Sequence, residues 1–223
     1  MLDPADTGPA CLSLCQDVQG EIFDYPEEFF KERIHNIRRP KPDDFQIKQA
    51  MEKIKKSKKP IIISGGGVFY SDAMDELGSF AIKHNIPVTQ TVMGYSTMKR
   101  DHSHFLGPIG GLGGRAANNL AKETDLAICV GTKLADFTTG SWANFENPEF
   151  KLVSINIARH DANKHLAEAV IGDAKVCLSE LSNSLGNWKS PDSWHKKSQD
   201  ELKSWNEYVD KESGPTTVSY THL

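Results

Sequence analysis

The sequence predicts an α/β fold with a doubly wound, mostly parallel sheet of about six strands. Three short apolar runs support this prediction: KPIIISGGGV at residues 59–68, DLAICVGT at residues 125–132 and LVSIN at residues 152–156. Each run ends in small or polar residues, which is typical of parallel strands that are covered on both faces. Ligands of open α/β sheets sit at the carboxyl ends of the strands, so the sequence predicts a nucleotide-type binding site at that edge.

Segments with helical periodicity alternate with the strands, which implies right-handed crossovers. Asp43 or Asp44 can cap a first helix that ends near Lys56. Lysines crowd the end of this helix, which fits either a phosphate-binding patch or a favourable interaction with the helix dipole, and we favour the dipole. The predicted strands are residues 60–64, 86–91, 105–110, 125–130, 151–156 and 168–172, and the later helices are residues 71–84, 113–122, 161–166, 174–185 and 191–209.

The bulk composition is that of an ordinary globular protein. The 223 residues are 38% hydrophobic and 25% charged, and the formal net charge of −4 gives no reason to expect a nucleic-acid partner. No segment approaches the ~20 apolar residues of a membrane span. Residues 1–6 lack the basic start and apolar core of a signal peptide, so we expect a cytoplasmic protein. The four cysteines form no Cys-x-x-Cys pair and are predicted to be small buried hydrophobes: Cys11, Cys15, Cys129 and Cys177.

Two glycine-rich segments are candidate binding loops. Gly65, Gly66 and Gly67 follow a strand and precede a helix, where a backbone can approach a phosphate, but they do not form a Gly-x-Gly-x-x-Gly pattern. A tight turn explains them equally well. Residues 107–115 contain five glycines, which is typical of close approach to a ligand or to another backbone. Arg115 could meet an anion there, although an ordinary surface arginine is favoured.

Few residues support catalysis. His102 and His104 could chelate a metal, but they lack an obvious third ligand, and we predict histidines in a solvent-exposed loop. There is no Gly-x-Ser-x-Gly elbow, and no cysteine pairs visibly with a histidine. Near the end of the chain, three tryptophans on a mainly polar segment are predicted to dock on the domain surface rather than to bind a ligand: Trp188, Trp194 and Trp205.

Two parts of the chain, residues 8–19 and residues 43–185, resemble a known enzyme family. Residues 8–18 are predicted to form one strand with its exit turn, and residues 27–33 one or two helical turns. GPACLSLCQDVQ at residues 8–19 is similar to the end of the pyrimidine-binding domain of thiamine-diphosphate enzymes of the acetolactate-synthase type. Residues 43–185 resemble their central domain, which is Rossmann-like. The match is carried by residues 59–68 together with GTKLADFTTGS at 131–141, SINI at 154–157 and VIGDAK at 170–175.

Three pieces are most similar to one branch of this family, which hydrolyses a cyclic 1,2-dione in myo-inositol breakdown. They are DYPEEFF at residues 24–30, DFTTGS at 136–141 and DANKH at 161–165. The resemblance implies a hydrolase of a carbon–carbon bond that acts on a small cyclic dione. The alternatives are an acetolactate-type carboligase and a nucleotide-binding module without catalysis.

The resemblance also implies where the cofactors belong. Thiamine diphosphate and Mg²⁺ would be bound by domains that this sequence lacks, because neither the activating glutamate nor the Gly-Asp-Gly…Asn motif is present. No catalytic residue and no metal ligand is therefore assigned, and the chain alone is expected to be inactive. FAD is conceivable but not expected, and a homo-oligomer, dimer or tetramer, is expected. An FAD-type pocket would use Gly65, Gly66, Gly67, Asn156, Gly172 and Asp173.

The resemblance predicts a division of the chain into five parts. The last part, VSYTHL, resembles a translated sequencing adapter, so we predict that it is not native sequence. The parts are the end of a pyrimidine-binding domain (residues 1–20), a linker (21–42), the Rossmann-like central domain (43–186), a helical linker toward a diphosphate-binding domain (187–217) and the adapter-like end (218–223).

Overall fold

The computed structural model describes residues 2–213 and confirms the predicted α/β fold. Its sheet has six strands, all parallel, in the order β3-β2-β1-β4-β5-β6. This is the doubly wound order, in which the chain reverses its direction of growth between β1 and β4. The strands are β1 (Pro60–Ser64), β2 (Val88–Gln90), β3 (Phe105–Pro108), β4 (Leu126–Val130), β5 (Lys151–Asn156) and β6 (Glu168–Ile171).

Helices cover both faces of the sheet. Helices α1, α3 and α7 pack together on one face, and α4 and α8 pack together on the other. Asp43 caps α1 by accepting a hydrogen bond from the Phe45 amide. The helices are α1 (Asp44–Lys56), α2 (Gly66–Tyr70), α3 (Met74–His84), α4 (Arg115–Glu123), α5 (Asp136–Thr139), α6 (Arg159–Ala162), α7 (Ala174–Leu185) and α8 (Asp192–Glu212).

The central strands explain the continuous apolar runs in the sequence. Ile62 points into the core beneath α1, α3 and α7, whereas Ile61 and Ile63 point into the core beneath α4 and α8. All three side chains are fully buried. Because side chains alternate across a strand, a strand covered on both faces needs apolar residues at every position.

The structure differs locally from the predicted elements after β1 and after β4. The helix predicted over residues 71–84 begins at Met74, because Asp72 has a φ of 54° and a left-handed residue cannot belong to a right-handed helix. A separate short helix, α2, precedes Asp72. The loop predicted between β4 and β5 contains the short helix α5.

Residues 2–43, the described part of the chain before α1, contain no strand, so the strand predicted at residues 8–18 is wrong. These residues are exposed and lack a pairing partner, and they form only a 3₁₀ turn at Val18–Gly20. A second 3₁₀ turn, Glu27–Phe30, stands where two helical turns were predicted. Cys11 and Cys15 are consequently exposed, which contradicts their predicted burial.

Helix α8 docks on the sheet layer through its tryptophans, as predicted. Trp194 is 4% exposed, and its Nε1 donates a hydrogen bond of 2.8 Å to the Pro60 carbonyl. Trp205 packs on the same core, and Trp188 packs on the opposite one. Residues 214–217 of the predicted linker, and the adapter-like residues 218–223, lie outside the described residues. Within residues 2–213, no helix is both long and apolar enough to cross a bilayer.

Candidate functional site

The candidate site lies where the loops leaving β1 and β4 meet at the carboxyl edge of the sheet. The Gly65 amide donates to the Val130 carbonyl at 2.8 Å, and the Gly67 amide donates to the Gly131 carbonyl at 2.9 Å. These bonds continue the β1–β4 pairing beyond the strands. The chain then leaves toward opposite sides, which opens a crevice at this switch point.

The three glycines of this loop have different roles. A Cβ at Gly65 would overlap the Gly131 carbonyl oxygen, and one at Gly67 would lie 2.6 Å from the Gly131 Cα. Both positions therefore need glycine for backbone packing alone. Gly66 lies farther from that contact, with the Met93 carbonyl oxygen 3.0 Å from the position of its Cβ. The tight-turn explanation thus accounts for Gly65 and Gly67.

A cavity of about 580 Å³ opens at this switch point. Its volume is in the range of small-molecule and cofactor sites. Of the six residues assigned to an FAD-type pocket, five line the cavity, and Gly65 lies behind them. The wall also includes Thr91, Thr132, Thr138 and Asp161, together with Tyr70, Met93 and Phe137, and Ile37 and Arg39 from the segment before α1.

Asn156 ties the ends of neighbouring strands together. Its Nδ2 donates to the Thr132 carbonyl at 3.1 Å, and its Oδ1 accepts from the Ala158 amide at 2.9 Å. Both ends of the side chain are therefore engaged within the protein. Asn156 shapes the cavity wall by fixing the loops that follow β4 and β5.

Asp173 and Gly172 fasten the preceding linker to the sheet. The Asp173 carboxylate, only 4% exposed, accepts from Arg39 Nη1 at 3.1 Å and from the Lys175 amide at 3.1 Å. The Asp173 amide donates to the Pro40 carbonyl at 2.9 Å. A Cβ at Gly172 would lie 3.0 Å from the Pro42 nitrogen. We call Arg39, Pro40 and Asp173 the linker clasp.

The linker clasp predicts a loss of stability in Asp173→Asn. The asparagine keeps a helix-capping oxygen but loses the charge that pairs with Arg39, so we expect the free energy of unfolding to fall by about 1–2 kcal/mol. Urea denaturation measures this change. Arg39→Gln should cost less, and the double variant should be less destabilised than the sum of the two. Additive effects would contradict a direct Arg39–Asp173 interaction.

Sequence reasoning missed Arg39 and Asp161 as wall residues. Arg39 lies in the predicted linker, and its partner is 134 residues away. The Asp161 side chain is 9% exposed and lies 2.5 Å from Lys164 Nζ and 3.9 Å from Lys133 Nζ. The DANKH segment contains Asp161 and Lys164, so the resemblance marked the place without giving their role.

The remaining candidates have structural roles. Gly110, with a φ of 105°, and Gly113 pack against other backbone, as predicted for the glycine-rich loop. The Arg115 guanidinium lies 4.7 Å from the Tyr208 ring centroid, a cation–π contact on the surface. Lys53 and Lys59 pair with carboxylates, Lys53 with Glu168 at 3.0 Å.

The two buried cysteines are poor nucleophiles. Burial raises the pKa of the Cys129 thiol and raises that of Cys177 to about 12, so both stay protonated at neutral pH. His104 is buried rather than solvent-exposed, which corrects the prediction for that residue. Across residues 2–213, no three His, Cys, Asp or Glu side chains come together to hold a metal ion.

A doubly wound parallel sheet with a cavity at its switch point defines a Rossmann-like α/β domain. The sequence model described as "Thiamine pyrophosphate enzyme, central domain" matches residues 47–181. The chain therefore belongs to the thiamine pyrophosphate enzyme family.

The chain is similar to bacterial proteins named 3D-(3,5/4)-trihydroxycyclohexane-1,2-dione hydrolase. It is 45% identical to the protein of Clostridium perfringens strain 13 over 93% of this chain and 32% of that protein. The Clostridium botulinum Eklund 17B protein is 44% identical over 95% of this chain and 33% of the relative. The Clostridium tetani protein is 48% identical over 83% of this chain and 29% of the relative. The chain thus spans about a third of the length of these relatives.

Proposed function

We propose that this chain is the central part of a thiamine-diphosphate-dependent hydrolase that opens trihydroxycyclohexane-1,2-dione in myo-inositol breakdown. The observation that carries the proposal is the 45% identity to the Clostridium perfringens protein of that name, sustained over 93% of the chain. Fold alone would not support it, because one fold serves many activities.

Thiamine diphosphate and Mg²⁺ would be held by parts of the longer protein. Residues 2–213 offer no cluster of metal ligands, and the chain has no Gly-Asp-Gly motif for a diphosphate-bound metal. The residues present therefore do not fit these groups, and we derive no catalytic step through them. In this proposal the central domain supplies a rigid body that positions the cofactor-binding domains.

The test is an assay of the complete reading frame, recovered by sequencing the source DNA on both sides. We expect thiamine-diphosphate-dependent loss of the cyclic dione and no product from the 223-residue chain alone. Condensation of pyruvate, with the dione left untouched, would identify the acetolactate-type carboligase instead. An encoded start and stop at these ends would contradict the proposal.

We also propose that the cavity can accept a nucleotide, although we do not expect the dione hydrolase to need FAD. Its position at the switch point supports this proposal, as do the five wall residues Gly66, Gly67, Asn156, Gly172 and Asp173. Calorimetric titration of the chain with FAD, ADP and NAD tests it. Asn156→Leu should weaken any binding, and the absence of heat with all three would reject the nucleotide.

The partners and location follow from the same proposal. We expect a homo-oligomer, dimer or tetramer, in the cytoplasm, with a small molecule rather than nucleic acid or a membrane as its partner. The net charge of −4 agrees with this expectation. Analytical ultracentrifugation of the complete protein measures the oligomeric state.

A further inference from the structure

Three histidines lie along the junction between helix α8 and the body of the domain. His84 ends α3, His104 immediately precedes β3, and His195 lies in the first turn of α8. His84 and His104 are buried. We call His84, His104 and His195 the histidine seam. The proposed function makes no use of them.

His104 belongs to a chain of hydrogen bonds that crosses the junction. Asn85 Nδ2 donates to Asp192 Oδ1 at 3.0 Å, which leaves Asn85 Oδ1 to accept from His104 Nε2 at 3.3 Å. His104 Nδ1 then accepts from the Ser103 hydroxyl at 3.0 Å. This pattern fits a neutral ring protonated on Nε2.

His195 stacks directly on His104. The ring centroids are 4.1 Å apart and the planes differ by 16°. His195 Nδ1 is buried and has no hydrogen-bond partner among the described residues. A neutral ring with its proton on Nε2 leaves only a lone pair there, whereas an imidazolium would leave a buried N–H donor unsatisfied.

His84 holds the segment that leads into α8. Its Nδ1 lies 2.8 Å from the Trp188 carbonyl oxygen, which can only accept, so Nδ1 carries the proton. Its Nε2 lies 3.2 Å from the Ser182 hydroxyl. The His84 carbonyl accepts from the Ser190 amide at 2.9 Å. The rings and backbone of the seam thus fix residues 188–195.

Burial is the main effect that opposes protonation of the three histidines. Desolvation, followed by the charges of His195 and His102, lowers the pKa of His104 to about 4. Desolvation lowers the pKa of His84 and outweighs its bond to Trp188, and Lys83 and Lys189 add to the lowering. Desolvation also lowers the pKa of His195, against the opposing charge of Asp192.

We propose that the histidine seam is an acid-sensitive latch that holds residues 188–195 and the first turn of α8 on the domain while its rings are neutral. Protonation places two positive rings face to face at 4.1 Å and leaves the buried Nδ1–H of His195 without an acceptor. Because residues 186–191 connect α7 to α8, opening the latch would release this connection and the first turn of α8.

The lowered pKa values determine how the strength of the latch changes with pH. An opened seam binds protons more readily than a closed one, so the latch is fully effective above the ordinary pKa of 6.5 and weakens as the pH falls through the range toward 4. Over that pH range, protonation of His104 alone would shift the equilibrium between the closed and open latch toward the open state by up to about 300-fold. This local effect precedes loss of the sheet, which lacks such groups.

Hydrogen exchange with mass spectrometry on the 223-residue chain tests the latch. From about pH 7.5 to about pH 5, and after correction for intrinsic exchange, we expect protection of the peptide covering residues 188–198 to fall about tenfold or more. The peptides of β1 and β4 should keep theirs. Parallel loss in all three peptides would mean global unfolding and would overturn the proposal.

The double variant His104→Gln/His195→Gln should abolish most of this pH dependence, and His35→Gln, at an exposed position, should leave it unchanged. A double variant with the same pH response as the parent would overturn the latch. Should the double variant fail to fold, NMR titration of the unmodified chain decides. His104 should titrate near 4, and titration near 6.5 would refute the proposal.

Discussion

Gly65→Ala is expected to destabilise the fold by about 3 kcal/mol or more, without any ligand present. Its Cβ would overlap the Gly131 carbonyl oxygen and lie 2.6 Å from the Thr132 Cβ. Neither neighbour can move freely, because the Gly131 amide donates to the Ile155 carbonyl at 2.8 Å. The strain therefore falls on the pairing of β1, β4 and β5. Urea denaturation followed by circular dichroism measures the loss.

Gly20→Ala is the matched control for this substitution. No atom lies within 4 Å of a Cβ at Gly20, so the free energy of unfolding should change by less than about 0.5 kcal/mol. If Gly65→Ala were as stable as the parent and lost only nucleotide binding, the glycine would serve a ligand rather than the backbone. That result would reverse the assignment of Gly65 to packing.

Trp194→Ala is expected to cost about 4 kcal/mol, the largest effect of a single side chain that we predict. The ring is 4% exposed, and it fills the core between α8 and the β1 layer. Removing it leaves a cavity and an unpaired Pro60 carbonyl, which now accepts from Nε1 at 2.8 Å. Thermal and urea unfolding should both show the loss.

Two companion variants separate the loss of packing from the loss of the hydrogen bond. Trp194→Phe retains an aromatic ring but loses the hydrogen bond, so we expect the free energy of unfolding to fall by only about 1–2 kcal/mol. Tyr208→Ala, on the same helix and 45% exposed, should cost no more than about 1 kcal/mol. Equal losses for Trp194→Ala and Tyr208→Ala would show that α8 is not held by the buried tryptophan.

The fold could be predicted closely because its signals are local and repeated. The predicted strand at residues 60–64 matches β1, and the one at residues 151–156 matches β5. A strand that is buried on both faces is apolar at nearly every position, so it is easily recognised in the sequence. The capping Asp43 marked the start of α1. The strand at residues 8–18 failed because a local pattern does not reveal whether a pairing partner exists.

The site could be predicted only in outline, because its walls come from distant parts of the chain. The glycines after β1 predicted the position of the switch point. The sequence around them did not indicate that Gly66 lines the cavity whereas Gly65 packs against the backbone of Gly131. Arg39 could not be linked to Asp173 across 134 residues. The burial of His104 likewise depends on its stacking with His195 of α8, and the predicted docking of the α8 tryptophans did not say which residues the helix would cover.

The linker clasp also bears on the order in which the chain can fold. Central strand β1 finds its β4 partner only after about 66 further residues, and Arg39 finds Asp173 only after 134. Such long-range closures are costly in chain entropy and slow. During synthesis the contacts of Arg39 and Pro40 with Asp173 can therefore form only after the start of α7 has emerged from the ribosome, whereas the bond from Arg39 to the Ser71 carbonyl becomes possible earlier. Closure of the linker clasp is thus a late event, which can occur only once all six strands of the sheet have been synthesised.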